Sequence, residues 1–296
     1  MISQSESSLD VTLSVQKESE LFPDVIKRCY DRAITLQRIF GRIIDESSIE
    51  LPEESCICLS GSVSRLECVN DSDIDYVLIW NDFSTEQRKR DNQKAVNTIK
   101  RINHTLARNR LRPCDSFSSH KPLTDLVSTE SLFSRYSIIS LVDSSPVIGT
   151  ESAYHDFLKL IRKHLSEYAI GISADYQVMR TLAWYIAREG WMDQLHFGTS
   201  VNRFSRLIQL FTTILSINQF GIESTRQTKT TWIRIERLEP YTPPEITGCL
   251  KKLWIKSLEM KENRQYAPML SDSRFTGISQ VVVIWNHIQS LINAPV

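Results

Sequence analysis

The sequence contains no apolar run approaching the roughly 18 residues that a membrane-crossing helix needs, so no membrane partner is expected. Its first residues, MISQSESS, have neither a basic segment nor an apolar core. That argues against a secretion signal and leads to the expectation of a cytoplasmic protein. Cysteine is scarce: there are 6 (29, 56, 58, 68, 114 and 249), with no C-x-x-C pair. This spacing excludes the usual zinc and redox frameworks and leaves reduced thiols, buried as small hydrophobes. The 6 histidines are scattered without ligand spacing, and none is assigned to a metal. No internal repeat or low-complexity tract is present. The formal net charge is zero, so there is no whole-chain basic field of the kind that holds nucleic acid.

What is present is an ordinary globular composition, 41 % hydrophobic and 24 % charged over 296 residues, enough for about two domains. The charge is uneven. Residues 1–83 hold 7 Lys/Arg against 16 Asp/Glu, whereas residues 84–112 hold 9 against 2. The basic stretch reads either as a solvated helix face or as a positive wall beside an acidic site that draws in polyphosphate.

Hydrophobic spacing predicts helix over 9–44, broken near Pro23. A short strand follows at 56–60, then a turn at Gly61-Ser62, and a second strand at 73–80. Ser84 or Thr85 caps a long basic helix running to about Arg108. A third strand is expected over 111–119, with Pro113 at its start or edge, and residues 129–150 are expected to hold a helix and then a short strand or turn ending at Pro146-Val147-Ile148-Gly149. From about 151 every segment reads as helix: Gly190 and Gly221 stand at C-caps, and Pro243-Pro244 suits a helix start. The expected fold is therefore an α/β (α+β) domain over 1–150 with a short mixed sheet, followed by an all-helical domain over 151–296. Trp184, Trp191, Trp232, Trp254 and Trp285 are expected in the core.

The informative stretch is LSGSVSRLECVNDSDIDYVLIW, residues 59–80. Residues i and i+2 of a strand point to one side, so Asp73 and Asp75 project together while Ile74, Tyr76 and Leu78 enter a core. Val77 and Ile79 continue the Asp side as apolar, so the strand is covered on both faces. Two partly buried like charges repel and lose solvation. A divalent cation relieves both, and paired carboxylates with phosphate oxygens suit Mg²⁺. Gly61 permits close approach of backbone N–H groups to a phosphate, Ser62 adds a hydroxyl, and Arg65 a fork of donors. Together these describe a site for nucleotidyl transfer.

The run G-S-x-x-R-x-E followed by S-D-x-D resembles the DNA polymerase beta-like nucleotidyltransferase superfamily. It is most similar to the nucleotidyltransferases related to the N-terminal domain of the PII-protein uridylyltransferase. SLVDSSPVIGT (140–150) resembles that family's D-x-R-P-V-x-G run, and NRFSRLIQL and TTWIRIERL resemble its helical part. The resemblance implies that Gly61, Ser62 and Ser72 lie on the nucleotide side and that Asp73 and Asp75 bind Mg²⁺. Arg65 and Glu67 then contact phosphate or brace the turn. Ser64 departs from the family, which often has Gly there. A third carboxylate completes such sites: Asp115 is the candidate for catalysis and metal, with Asp125 as fallback. Arg203 and Arg206 face either phosphate or solvent. The implied partners are a nucleoside triphosphate, ATP among them, and a protein or small-molecule hydroxyl. An inactive, nucleotide-sensing module is the competing reading.

Overall fold

The computed structural model describes residues 21–46, 49–70, 72–81, 85–112, 119–122, 142–147, 151–168, 172–190, 192, 201–223, 228, 230–263 and 277–293. Helix α1, Asp24–Glu46, starts directly after Pro23 and buries Val25, Ile26, Cys29, Tyr30, Ala33, Phe40, Ile43 and Ile44 along one stripe. The expected piece before Pro23 lies largely outside the described residues.

Strand β1, Ser55–Leu59, and strand β2, Tyr76–Trp80, pair antiparallel, with Ser55 opposite Trp80 and Leu59 opposite Tyr76. Every residue of both strands is buried, which is why they read as continuous apolar runs rather than alternating ones. Strand β3, Ser119–Pro122, joins β2 in parallel, and β4, Ser145–Pro146, joins β1 antiparallel. The order is β3-β2-β1-β4, a small mixed sheet. The helix expected over the basic stretch is α3, Thr85–Arg108; it packs on β2 and β3. Tyr76 shows how α1 and α3 meet the sheet: its ring lies 5.2 Å from that of Phe40 on α1, and its hydroxyl donates to Asn103 on α3 at 2.6 Å.

Two expectations shift. The third strand begins at Ser119, where it was expected to end, and residues 113–118 are outside the described set. The second strand begins at Tyr76 rather than Asp73: the continuous ladder to β1 starts at the Tyr76–Leu59 pair, and the ladder to β3 one residue later at Val77. Just before it, Ile74 N–H donates to the Arg112 carbonyl and the Asp75 carbonyl accepts from Ser60 N–H, both at 2.9 Å. Partners that alternate in this way belong to an extended stretch continuing the strand.

The remaining helices are α4 (Glu151–Tyr168), α5 (Ala174–Arg188), α6 (Val201–Phe220), α7 (Thr231–Leu238), α8 (Pro244–Glu262) and α9 (Gly277–Ile292). Ser173 caps α5 by accepting from Tyr176 N–H, and Thr230 caps α7 by accepting from Ile233 N–H, each at 3.2 Å. Gly190 and Gly221 end α5 and α6 with φ of 59° and 76°. Helix α6 is buried on nearly every side from Phe204 to Ile217, as expected of a helix surrounded by others: it packs against α5, α7, α8 and α9. Helix α4 packs on β1, and α8 on α1.

Trp232 and Trp254 are buried and Trp285 stacks on Phe211. Trp184 departs from the expected core position at 50 % exposure. Helix α5 buries Met179, Leu182, Ala183 and Ile186, which turns Trp184 outward, where the Arg188 guanidinium lies 4.8 Å over its ring. Trp191 lies outside the described residues.

Candidate functional site

Between β1 and Arg65 the chain makes one helical turn, α2, Gly61–Ser64. This is where a simple Gly-Ser turn was expected. Gly61 opens it with φ +64°, and a Cβ built there would lie 1.8 Å from Asp75 Oδ2. The Asp75 carboxylate thus occupies the space that any other residue at 61 would fill. The two motifs expected to face each other do so, with Ser60 N–H donating to the Asp75 carbonyl to hold them in register. Asp73 and Asp75 are half-buried, and their extended backbone turns both side chains to one side.

The turn is pinned from several directions. Gln37 on α1 donates to the Val63 carbonyl at 2.8 Å, and Arg32 donates to the Cys68 carbonyl at 2.8 Å. The Ser62 carbonyl accepts from Glu67 N–H at 2.9 Å, and the Cys68 thiol donates to Ser62 Oγ at 3.7 Å. Ser72 closes the loop before the acid pair by accepting from Val69 N–H at 2.9 Å. Ser64 is fully buried: its hydroxyl donates to the Asp143 carbonyl at 2.5 Å and pairs with Ser145 Oγ at 2.6 Å. The position where the family often has Gly is therefore a tether to β4 here.

Of the two roles left open for Arg65 and Glu67, the geometry favours bracing. Arg65 is buried, donating to Glu67 Oε2 at 3.1 Å and to Asp143 Oδ2 at 3.4 Å. Glu67 Oε1 accepts from the N–H of Thr231 at the start of α7, where a carboxylate also meets the positive helix end. Asp143 in turn holds Gln209 of α6 at 2.6 Å and Arg234 of α7 at 3.5 Å. Burial alone would lower the Arg65 guanidinium, but Asp143, Glu67 and Asp75 outweigh it and hold it above its ordinary value. Arg234 is lowered, burial exceeding the pull of Asp143 and Glu67. Burial and the neighbouring Arg65 push the Lys261 ammonium at the end of α8 down to about 8, against the opposing effect of Glu67.

Asp143, Gln209, Arg234 and Lys261 were not singled out in the sequence. Asp143 was accessible, since it opens the D-x-x-P-V-x-G run of residues 143–149. Arg234 gave a weaker signal, a lone cation between Ile233 and Ile235. Arg206, on α6, is one of the cations lowering Lys261.

Asp115 and Asp125 lie outside the described residues, as does the side chain of Arg203. The chain on either side of residues 113–118 is placed: the Arg112 carbonyl bonds Ile74, and Ser119 pairs with Val77. Among the described residues no group of three His, Cys, Asp or Glu forms a metal cluster. The donor chemistry of the pair nonetheless fits Mg²⁺. Asp75 offers a hard carboxylate oxygen beside a glycine whose missing side chain leaves it room, and Asp73, two residues earlier in the same extended stretch, is a second donor of the same kind. The five described cysteines are free thiols. Burial, then Glu262, pushes Cys29 up to about 12, and burial pushes Cys68 up to about 11.

No curated protein matches the chain. Residues 9–117, which include α1, the Gly61-Ser62 turn and the Asp73/Asp75 pair, match the family described as Putative nucleotidyltransferase DUF294. Over those residues the resemblance to the nucleotidyltransferase superfamily, read from the G-S and S-D-x-D motifs, is borne out.

Proposed function

We propose that the protein is a Mg²⁺-dependent nucleotidyltransferase that moves NMP from an NTP to a hydroxyl of a protein or small molecule, releasing pyrophosphate. The observation that carries this reading is the packing of the Asp75 carboxylate against the bare Cα of Gly61. It brings together the two motifs that this reading takes to hold the metal and the phosphates. Asp73 and Asp75 hold the metal, with Asp115 as the third carboxylate. Bound there, Mg²⁺ supplies charge neutralisation for the triphosphate and lowers the pKa of the attacking hydroxyl. Gly61 and Ser62 orient the phosphates, and Ser72 keeps the loop ahead of the acids closed. Arg65 and Glu67 fix the turn against the helical segment. ATP is included among the candidate nucleotides, and the cytoplasm is the expected location.

The test is release of pyrophosphate from each of the four NTPs, with α-labelled nucleotide and cell lysate as the acceptor source. Wild type should label an acceptor in a Mg²⁺-dependent way, and Asp73→Ala with Asp75→Ala should not, while circular dichroism stays unchanged. Failure of wild type to release pyrophosphate from any NTP would favour a nucleotide-sensing module.

A further inference from the structure

Helices α1 and α3 leave a groove of about 660 Å³ between their C-terminal halves, within the size range of small-ligand pockets. Each helix turns an i, i+3, i+4, i+7 face to it, the spacing that puts residues on one side of a helix. From α1 come Ile39, Arg42, Ile43 and Glu46; from α3 come Arg101, His104, Thr105 and Arg108. Leu111 also lines it. The groove is thus lined by the apolar Ile39, Ile43 and Leu111 and by three arginines, against one acid, Glu46, among the described lining residues.

These arginines differ from the cations earlier on the same helix. Arg90 stands 3.6 Å from Glu53, and Lys94 3.1 Å from Glu50. By contrast, the guanidiniums of Arg42, Arg101 and Arg108 have no hydrogen-bond or ion-pair partner among the described residues. A helix C-terminus carries partial negative charge that attracts cations, but this does not account for the cluster. Arg101 lies two turns inside α3. The carbonyls of Thr105, Leu106 and Ala107 at the end of α3 are already taken by the N–H groups of Asn109, Arg110 and Leu111. Guanidinium forks suit phosphoryl oxygens, and the Ile39, Ile43 and Leu111 surface suits the apolar part of an organic molecule.

We propose that this groove is a binding site for an organic phosphate, separate from the Asp73/Asp75 site. The phosphoryl groups lie between Arg42, Arg101 and Arg108, and the organic moiety lies on the isoleucines. The site does not depend on the nucleotidyl-transfer reading, because its ligand contacts involve neither acid.

Isothermal titration calorimetry in EDTA, with ATP and inorganic tripolyphosphate as probes, tests it on the full chain. Wild type should bind ATP saturably, and more tightly than tripolyphosphate. Arg42→Ala/Arg101→Ala/Arg108→Ala should weaken ATP by about tenfold or more, with circular dichroism unchanged. Asp73→Asn/Asp75→Asn should leave the metal-free binding in place. Should the triple variant unfold, Arg101→Glu alone gives the same readout, since this position is exposed. The proposal is overturned by absent binding, by an arginine variant that binds like wild type, or by loss of binding in the aspartate variant. It is also overturned if tripolyphosphate binds as tightly as ATP.

Discussion

Asp143 Oδ1 lies 3.5 Å from a guanidinium nitrogen of Arg234, and both side chains are only 1 % exposed. Its other oxygen serves Arg65 at 3.4 Å and Gln209 at 2.6 Å. One acid therefore balances two arginines, one from the signature turn and one from α7. Removing a partner from such a buried pair leaves an uncompensated charge and costs about 3–5 kcal/mol. Asp143→Ala is expected to lose that much in urea denaturation. Asp143→Leu with Arg234→Met should recover a large part of it. A loss below about 1 kcal/mol would place this carboxylate among ordinary surface ion pairs.

Gly61→Ala places a methyl where the Asp75 carboxylate now sits and forces a side chain onto a φ of +64°. Backbone strain of this kind costs about 1–3 kcal/mol, so the variant should fold with a modestly lower Tm. Pyrophosphate release should nevertheless vanish, because Asp75 has to move. An alanine variant with wild-type turnover would show that this packing is dispensable.

Lys261 is held down to about 8, below its ordinary 10.5, chiefly by burial and by Arg65. Between these values the unfolded chain binds more protons than the folded one, so this group makes stability rise with pH over that interval. Cys29 acts oppositely above pH 9, since burial raises its thiol to about 12. The lysine is isolated by difference: Lys261→Met should remove a rise between about pH 8 and 10.5 while leaving the cysteine contribution. Superimposable curves for wild type and variant would refute it.

The same burial makes the thiols of Cys29 and Cys68 poor nucleophiles, since the thiolate is the reactive form. Alkylation by iodoacetamide at pH 8, followed by peptide mass spectrometry, should modify the half-buried Cys249 well before either. Rapid labelling of Cys68 would mean that the loop carrying Ser62 and Glu67 opens in solution.

Ser64→Gly removes two short hydrogen bonds, to the Asp143 carbonyl and to Ser145. The expected destabilisation is about 1–3 kcal/mol, read by thermal unfolding. A neutral result would mean that the glycine common at this position in the family serves equally well.

The elements built on local periodicity were legible in the chain: α3 from its run of basic and polar residues, α5 to α9 from their apolar spacing, and β1 and β2 from uninterrupted apolar runs. The juxtaposition of Gly61 with Asp75 was legible in part: the sequence set the Gly-Ser turn facing the acids, but read the glycine as room for a phosphate, whereas its missing side chain makes room for the Asp75 carboxylate. What local pattern cannot convey is which distant groups satisfy a buried charge. Glu67 and Thr231 are 164 positions apart, and nothing in either neighbourhood names the other. Arg65 could be read equally as a phosphate ligand or as a brace, and only the location of Asp143 favours the second. The start of β3 was misplaced for a related reason. Its sequence, SHKP, carries no alternation, and it is a strand only because β2 offers it a parallel edge.

The Glu67 carboxylate on the first N–H of α7 bears on how this protein can be taken apart. A chain stopped after residue 150 would keep both motifs intact, yet lose Thr231, Gln209 and Arg234 together. Glu67 and Asp143 would then face solvent from positions shaped for other company. The Gly61–Ser64 turn is in this sense held in place from the far end of the polypeptide. A chimera that supplies a foreign helical segment would have to reproduce those three contacts before its own chemistry could be judged.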